Sequence, residues 1–315
     1  AREVAPSVVP FMDAVGSYVQ DGETRTTLGD ALEDSPLDPS ANILALNVSV
    51  AGTGGVAVNG VVTGNVITNE TSTKILTSTV TTTGDIGLET LSDSGIAAMT
   101  VGVAGSGVAS VNATGFGNVI VNSTTATVED STLDAGQSLS LAATDSADIA
   151  ALGIGVAFSG TGSFNVLAAA NVITDTVKAD ITGSDVTVGS ALTQDAATRA
   201  GIMSFVGGVA ADVSAAGNLT LAGNVITNTT EAIISGASSV DGGAISQTAE
   251  NSASIDSLSF GVSAAGGGAG GAAAAANVIV NTTASGVFDS TVTDADSFSA
   301  LSRSEAIIRA LNLGV

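Results

Sequence analysis

The chain contains no cysteine, no histidine and no tryptophan, and only seven of its 315 residues are lysine or arginine. Without cysteine there is neither a disulfide framework nor thiol chemistry. Thirty acidic residues leave a formal net charge of −23. That charge argues against binding to nucleic acid or to an anionic membrane, both of which require clustered cations. The lack of histidine, and of paired carboxylates beside a basic residue, indicates a protein that is not an enzyme.

Aromatic residues make up only 3% of the chain, so a core must be filled by alanine, valine, isoleucine and leucine. Tandem immunoglobulin-like domains are thereby excluded, because they need about 100 residues per unit and a large buried aromatic. Long hydrophobic runs are also missing. The longest apolar stretch, Ala264 to Ala276, holds only alanine and glycine and is too short and too weakly hydrophobic to form a transmembrane helix.

A strict period is what the chain does have. A five-residue motif, Asn-Val-Ile followed by Thr or Val and then Asn or Asp, recurs every 53 residues without insertion or deletion between copies. Its copies begin at Asn65, Asn118, Asn171, Asn224 and Asn277. Apolar columns keep the same spacing, including Ile43 to Ile308 and an all-valine column from Val50 to Val315. A fixed period of this size is typical of stacked repeats.

Within each unit, β-branched residues alternate with others between glycine- or aspartate-rich turns, which is the signature of strands. We therefore predict an all-β fold, a parallel β-solenoid of five to six 53-residue repeats. Residues 43–315 form the regular repeats. Residues 1–42, which hold all four prolines, form a degenerate first repeat or an N-terminal cap. We favour one wide rung per repeat over two narrower rungs.

Strands are expected at Ile43 to Val50, Ser72 to Thr83 and Ile86 to Leu91, with turns near residues 52–55 and 84–85. The alanine run 272–276 shares its phase with residues 60–64 and is therefore assigned to a strand despite its helical propensity. The glycine- and alanine-rich half of the unit is expected to pack its sheets closely, and the Ser/Thr/Asp-rich half to face solvent. Val156 is expected to point inward.

The asparagine column has two interpretations. Asn65, Ile67 and Asn69 share one face of a strand, with Val66 and Thr68 on the other. Stacked asparagines can pass amide hydrogen bonds from rung to rung, and we favour this structural ladder over a ligand-binding row. Seven Asn-x-Ser/Thr sequons also occur, which we interpret as turns after a strand rather than as attachment points for surface glycans. They lie at Asn47, Asn69, Asn112, Asn122, Asn218, Asn228 and Asn281.

The acidic residues are spread along the chain rather than clustered. Calcium requires six to eight oxygens around one point, and no EF-hand loop is present. We therefore expect no cofactor and no dedicated metal site, although weak divalent cation binding is compatible with so acidic a surface.

Two stretches resemble the large repetitive surface adhesins of bacteria, of the leukotoxin and filamentous-haemagglutinin type. They are Gly223-Asn224-Val225-Ile226-Thr227-Asn228-Thr229-Thr230-Glu231-Ala232 and Ala135-Gly136-Gln137-Ser138-Leu139-Ser140-Leu141-Ala142-Ala143. The resemblance covers residues 43–315 and implies a secreted β-solenoid stalk, outside the cell or on a bacterial cell surface. Either a structural stalk or a carbohydrate- or host-binding adhesin segment would carry these repeats.

The chain is three residues short of six complete repeats, and its last segment carries the regular apolar columns without a capping feature. An uncapped apolar solenoid end is a template for further strand pairing. We therefore expect copies to join head to tail, with Ile308, Leu311, Leu313 and Val315 at the contact. The alternative is that the same residues belong to a longer array.

Overall fold

The computed structural model describes residues 18–20, 23–25 and 42–315, and it consists of stacked parallel β-sheets. The predicted cap over residues 1–42 lies almost entirely outside the described residues. Two short strands in that region, β1 (Tyr18–Gln20) and β2 (Glu23–Arg25), pair antiparallel.

Three parallel sheets contain all the remaining strands. Sheet 1 comprises β3 (Ile43–Thr53), β6 (Ile86–Ser106), β9 (Ser138–Ser159), β12 (Ala191–Asp212), β15 (Ala244–Ala265) and β18 (Ser297–Gly314). Sheet 2 comprises β4 (Val56–Leu76), β7 (Ala109–Glu129), β10 (Gly162–Thr182), β13 (Ala215–Ser235) and β16 (Gly268–Val287). Sheet 3 comprises β5 (Thr79–Thr82), β8 (Thr132–Ala135), β11 (Asp185–Val188), β14 (Ser239–Asp241) and β17 (Thr291–Thr293).

Each strand pairs with the strand one repeat away, at a separation of 53 residues throughout sheets 1 and 2. The predicted all-β solenoid of five to six coils is therefore confirmed, with one wide rung per repeat. A coil runs along sheet 1, reverses through a two-residue turn into sheet 2, and closes through the short strand of sheet 3. The alanine run 272–276 lies within β16, as its phase predicted.

The strands are longer than the sequence suggested. The segments expected at Ile86 to Leu91 and from Ile96 onward merge into the single 21-residue strand β6. The strand expected over Ser72 to Thr83 is wrong, because the chain turns at residues 77–78 between β4 and β5. Thr77 has a φ of 47°, in the left-handed region. Asparagine, aspartate and glycine adopt this conformation most readily. They occupy the equivalent position in the other four coils, as Asp130, Gly183, Gly236 and Asp289, so the signal was present in the repeat but not in its first copy.

The same corner recurs in every coil and is tied to its neighbours by serine. The backbone N–H of Ser78 donates to Ser131 Oγ at 3.0 Å, and the following coils repeat the contact at 3.1 Å. In the fourth coil Gly236 and Ala237 both have positive φ, and β14 begins one position later than its equivalents in the other coils. The pairing across β14 accordingly shifts to 54 and then 52 residues, and it returns to 53 at Ala244.

Two apolar clusters fill the interior. One lies where the three sheets meet, around Leu133, Leu139 and Ile181. The other lies between sheets 1 and 2, where the isoleucine column of Ile149 and Ile202 faces Ile120, Ile173 and Ile226. Nearer the turn, small residues let the two sheets approach. A Cβ added to Gly155 would lie 2.6 Å from Asn165 Oδ1, so glycine is needed at that contact.

The expectation that Val156 points inward is wrong. Inward side chains on β9 stand at odd positions, so Ile149 and Ala157 are buried while Val156 is half-buried on the outer surface. The isoleucine and valine columns are seven residues apart. An odd separation puts them on opposite faces of an uninterrupted strand.

Two neighbouring substitutions test this parity. Ala157→Asp places an unpaired charge inside the sandwich and is expected to cost several kcal/mol of folding free energy. Val156→Asp, on the outer surface, is expected to cost about 1 kcal/mol or less. Urea denaturation followed by circular dichroism compares them, and equal losses in the two variants would contradict the assignment.

Candidate functional site

The five predicted ladder asparagines form an unbroken chain of amide hydrogen bonds inside the solenoid. Asn65 Nδ2 donates to Asn118 Oδ1 at 2.8 Å, and each amide then donates to the next as far as Asn277. All four bonds run in one direction. Asn171 also donates to Ser204 of sheet 1, and Asn224 donates to Ser257 of the same sheet. These bonds tie the two sheets together.

A second ladder runs parallel to the first, nearer the turn. Asn59, Asn112, Asn165 and Asn218 are joined by bonds of 2.7, 2.7 and 2.6 Å. Sequence reasoning missed it, although the 53-residue spacing was visible, because two of its members were considered only as sequons. The second ladder ends at Gly271, because glycine has no side-chain amide to continue it.

The sequon asparagines all lie within strands, so the turn interpretation is wrong. Four of them are buried between the sheets: Asn112, Asn122, Asn218 and Asn228. A transferase has no access to these side chains in the folded chain. These side chains form hydrogen bonds inside the solenoid, in the second ladder and in the polar layer described next.

A polar layer separates the two apolar clusters and contains a pair of buried carboxyls that sequence reasoning missed. The motif ends in asparagine in four coils but in Asp175 in the third, where Asp145 faces it from sheet 1. Asp145 and Asp175 are 0% and 1% exposed. Asn122 and Thr124 donate to Asp145 at 3.3 and 3.1 Å, whereas neither oxygen of Asp175 has a donor.

A proton on one of the two carboxyls allows them to lie side by side without charge repulsion. Burial raises the pKa of Asp175 to about 8, and the Asp145 carboxyl beside it adds to the rise. Burial also raises the pKa of Asp145, against the hydrogen bonds that it accepts. At neutral pH Asp175 therefore keeps its proton and can donate it to Asp145. Because the pair is enclosed by both sheets, it can stabilise the interior but cannot reach a substrate.

The residues predicted for a polymer contact all lie at the last strand. β18 pairs with β15 and with no other described strand. Ile308 continues the inward isoleucine column, while Leu311 and Leu313 stand on the outer surface, and Val315 follows the end of β18. The strand is held to β15 by Arg309, whose guanidinium contacts the Asp256 carboxylate at 2.5 and 2.7 Å.

A shallow groove of about 360 Å³ lies on the outer surface of sheet 1, away from the turn. Arg199, Glu250 and the ion pair of Arg303 with Glu305 line it. Among residues 42–315, no group of three or more acidic side chains is arranged to hold a metal ion. In the same part of the chain, no helix is long and apolar enough to span a membrane. Comparison with protein-family models, curated proteins and solved structures gives no match to this chain.

Replacing Asn171 by leucine is expected to destabilise the fold by about 2–4 kcal/mol, because it leaves a buried donor on Asn118 and a buried acceptor on Asn224 without partners. The matched change Asn277→Leu removes only the terminal amide and is expected to cost about 1 kcal/mol. Urea midpoints of the two variants compare these costs. A larger loss at Asn277 would contradict a continuous ladder.

Replacing Asp175 by asparagine is expected to stabilise the protein at pH 8 by a few kcal/mol and to have little effect at pH 4. Between these values the folded state keeps a proton that the unfolded chain has lost, so wild-type stability falls as pH rises through this window. Thermal unfolding across pH 4–9 measures the difference. Asp134→Asn removes a charge from an exposed position, keeps Asp175 and serves as the control, which is expected to show the same fall in stability as the wild type.

Proposed function

We propose that this chain is a structural segment of a bacterial stalk or filament, outside the cell or on its surface, which extends by stacking a further rung on β18. The partner is another copy of the chain, joined head to tail. The observation that supports the proposal is that β18 exposes apolar side chains and one edge of its backbone.

The side chains of the last coil lack the cover that earlier coils have. Ile255 is fully buried, but Ile308, one repeat later in the same inward column, is 47% exposed. Leu311 and Leu313 are half exposed. β3 of a following copy begins at the phase of Ile308 and would cover this segment. Burying each such side chain contributes about 1.5–3 kcal/mol at most.

The ladder of amides has complementary ends. Asn277 Nδ2 has no acceptor in the described part of the chain, and Asn65 Oδ1 has no donor there. With β3 of the next copy on β18, Asn65 of that copy lies two rungs from Asn277, so these two amides do not bond to each other directly. Because every bond runs in the same direction, the two ends of the solenoid nevertheless differ, and a head-to-tail order keeps the direction of the ladder along the stack.

The backbone of β18 provides the remaining contacts. The N–H of Val315 donates to Gly261 O, and its carbonyl accepts from Ser263. In a parallel strand alternate residues bond to opposite sides. Leu311 and Leu313 therefore also bond toward β15, while Ala310 and Asn312 present their N–H groups to the free edge.

Ala310→Pro tests end-on stacking, since it removes a free-edge N–H without disturbing the ladder to β15. The control Ala310→Thr keeps that N–H. At micromolar concentration, sedimentation and electron microscopy are expected to show filaments for the wild type and for the threonine variant, but not for the proline variant. A wild-type chain that never forms end-on assemblies would overturn self-stacking.

The second candidate function is a carbohydrate- or host-binding adhesin segment, favoured by the groove around Arg199 and Glu250. A glycan array with the wild type and Arg199→Ala measures it. Binding that the substitution abolishes would support a ligand site, whereas binding that it leaves unchanged would exclude this groove.

A further inference from the structure

The outer surface of sheet 2 is apolar over a wide area next to the turn. On β4 the outward positions from Val56 to Val66 are 56, 58, 60, 62, 64 and 66, and the other four strands of sheet 2 repeat them at intervals of 53. These six positions on five strands are all valine, alanine, glycine, leucine or phenylalanine. We call this set of thirty positions the apolar face.

The side chains behind the apolar face are the more polar ones. The same strand segments turn Asn59, Asn65 and their equivalents inward, together with Ser110, Ser163 and Thr114. Polarity at this end of the coil is therefore reversed relative to an ordinary sandwich, whose inner faces are apolar. The outward valines are not required by the interior of this chain. Val62, for example, is 87% exposed.

The apolar face is large for an uncovered surface. Ten residue steps of about 3.3 Å and five strands about 4.8 Å apart give roughly 800 Å². The largest apolar patch of a typical monomer covers about 300–600 Å². A standard protein interface buries about 800 Å² on each partner. The apolar face therefore matches the area that a stable pairing of two proteins requires.

The apolar face is also shaped for packing against another sheet. Its small side chains leave it nearly flat, and no charged residue interrupts it. The largest side chain, Phe164, lies over Gly217 of the next strand, where a Cβ would approach the ring to 2.7 Å. Charged side chains begin only beyond it, at Glu70, Lys178 and Asp180.

We propose that the apolar face pairs with the apolar face of a second copy of this chain, as two sheets pack face to face in a sandwich. A lipid surface fits less well, because β4 and β16 are the edge strands of sheet 2 in the described part of the chain, and hydrocarbon cannot satisfy the backbone groups along a strand edge. A second copy offers an uncharged surface of equal area, and a two-fold arrangement contacts the same residues on both sides.

This pairing uses a different surface from end-on stacking and does not depend on it. A two-fold contact closes at a dimer, whereas stacking on β18 propagates. In the Ala310→Pro background, where stacking is blocked, the face contact alone is expected to yield dimers. The two proposals can therefore fail separately.

The test compares two charges on one strand. Ala168 lies at the middle of the apolar face on β10. Thr176 lies eight residues further along the same outward side, in a column where β4 carries a glutamate, Glu70. In the Ala310→Pro background, Ala168→Glu is expected to weaken dimerisation at least about tenfold by sedimentation equilibrium. Thr176→Glu is expected to change it by less than about threefold. Circular dichroism confirms that each variant is folded.

A cysteine at position 168 gives a second measurement in the unmodified background, since the chain has no other thiol. A nitroxide attached to Ala168→Cys is expected to be immobilised and to show a short interspin distance, unlike one on Thr176→Cys. A mobile label at position 168 would overturn the proposal. So would a monomer at high concentration, equal dimerisation of both glutamate variants, or binding of the face to neutral phosphatidylcholine vesicles in place of self-association.

Discussion

The structure depends on one constraint, which is that equivalent side chains of successive coils stack directly on one another. In a parallel ladder each position meets its own equivalent about 4.8 Å away, above and below. A side chain with both a donor and an acceptor can bond to its equivalents above and below, and asparagine is the clearest case. Two ladders result, one over five coils and one over four. A carboxylate cannot form both bonds, because it can only accept. Asp175, which interrupts an asparagine column, therefore requires a proton to fit beside Asp145.

The constraint is strict along the long strands and looser at the corner with sheet 3. Near Gly236 the pairing of β14 slips by one position, yet register is restored by Ala244. A three-residue strand carries few ladder bonds, so a slip there moves few side chains. The same slip in β13 or β15 would turn every inward asparagine and isoleucine outward. A slip of one residue is therefore tolerated at this corner, because few side chains depend on its register.

The repeat, the parallel stacking and the wide rung could all be predicted from the sequence, because a 53-residue period fixes which residues stack whatever the local conformation is. Strand lengths were not predicted correctly. The corner at Thr77 was missed because the first repeat was considered alone, whereas the same column holds Asp130, Gly183, Gly236 and Asp289, which favour a left-handed conformation. The direction of Val156 was missed for a different reason: a period shows which residues align along the axis, but only strand parity shows which side they face. The Asp145–Asp175 pair could not be found, since the two lie 30 residues apart on different sheets.

Near the turn, polar side chains point inward and apolar side chains point outward. The packing of the interior therefore determines the character of the outer surface there. Amide ladders and glycines bring the two sheets close together there, and most inward positions hold small or polar side chains, with Phe116 and Leu167 as exceptions. Gly102, Gly155 and Gly208 each lie against an asparagine or threonine of sheet 2, so a larger residue would push the sheets apart. The β-branched residues that strands favour must then point outward. A thin solenoid edge held by hydrogen bonds thus acquires apolar outer surfaces as a consequence of its own packing, and in water such surfaces favour association between solenoids side by side.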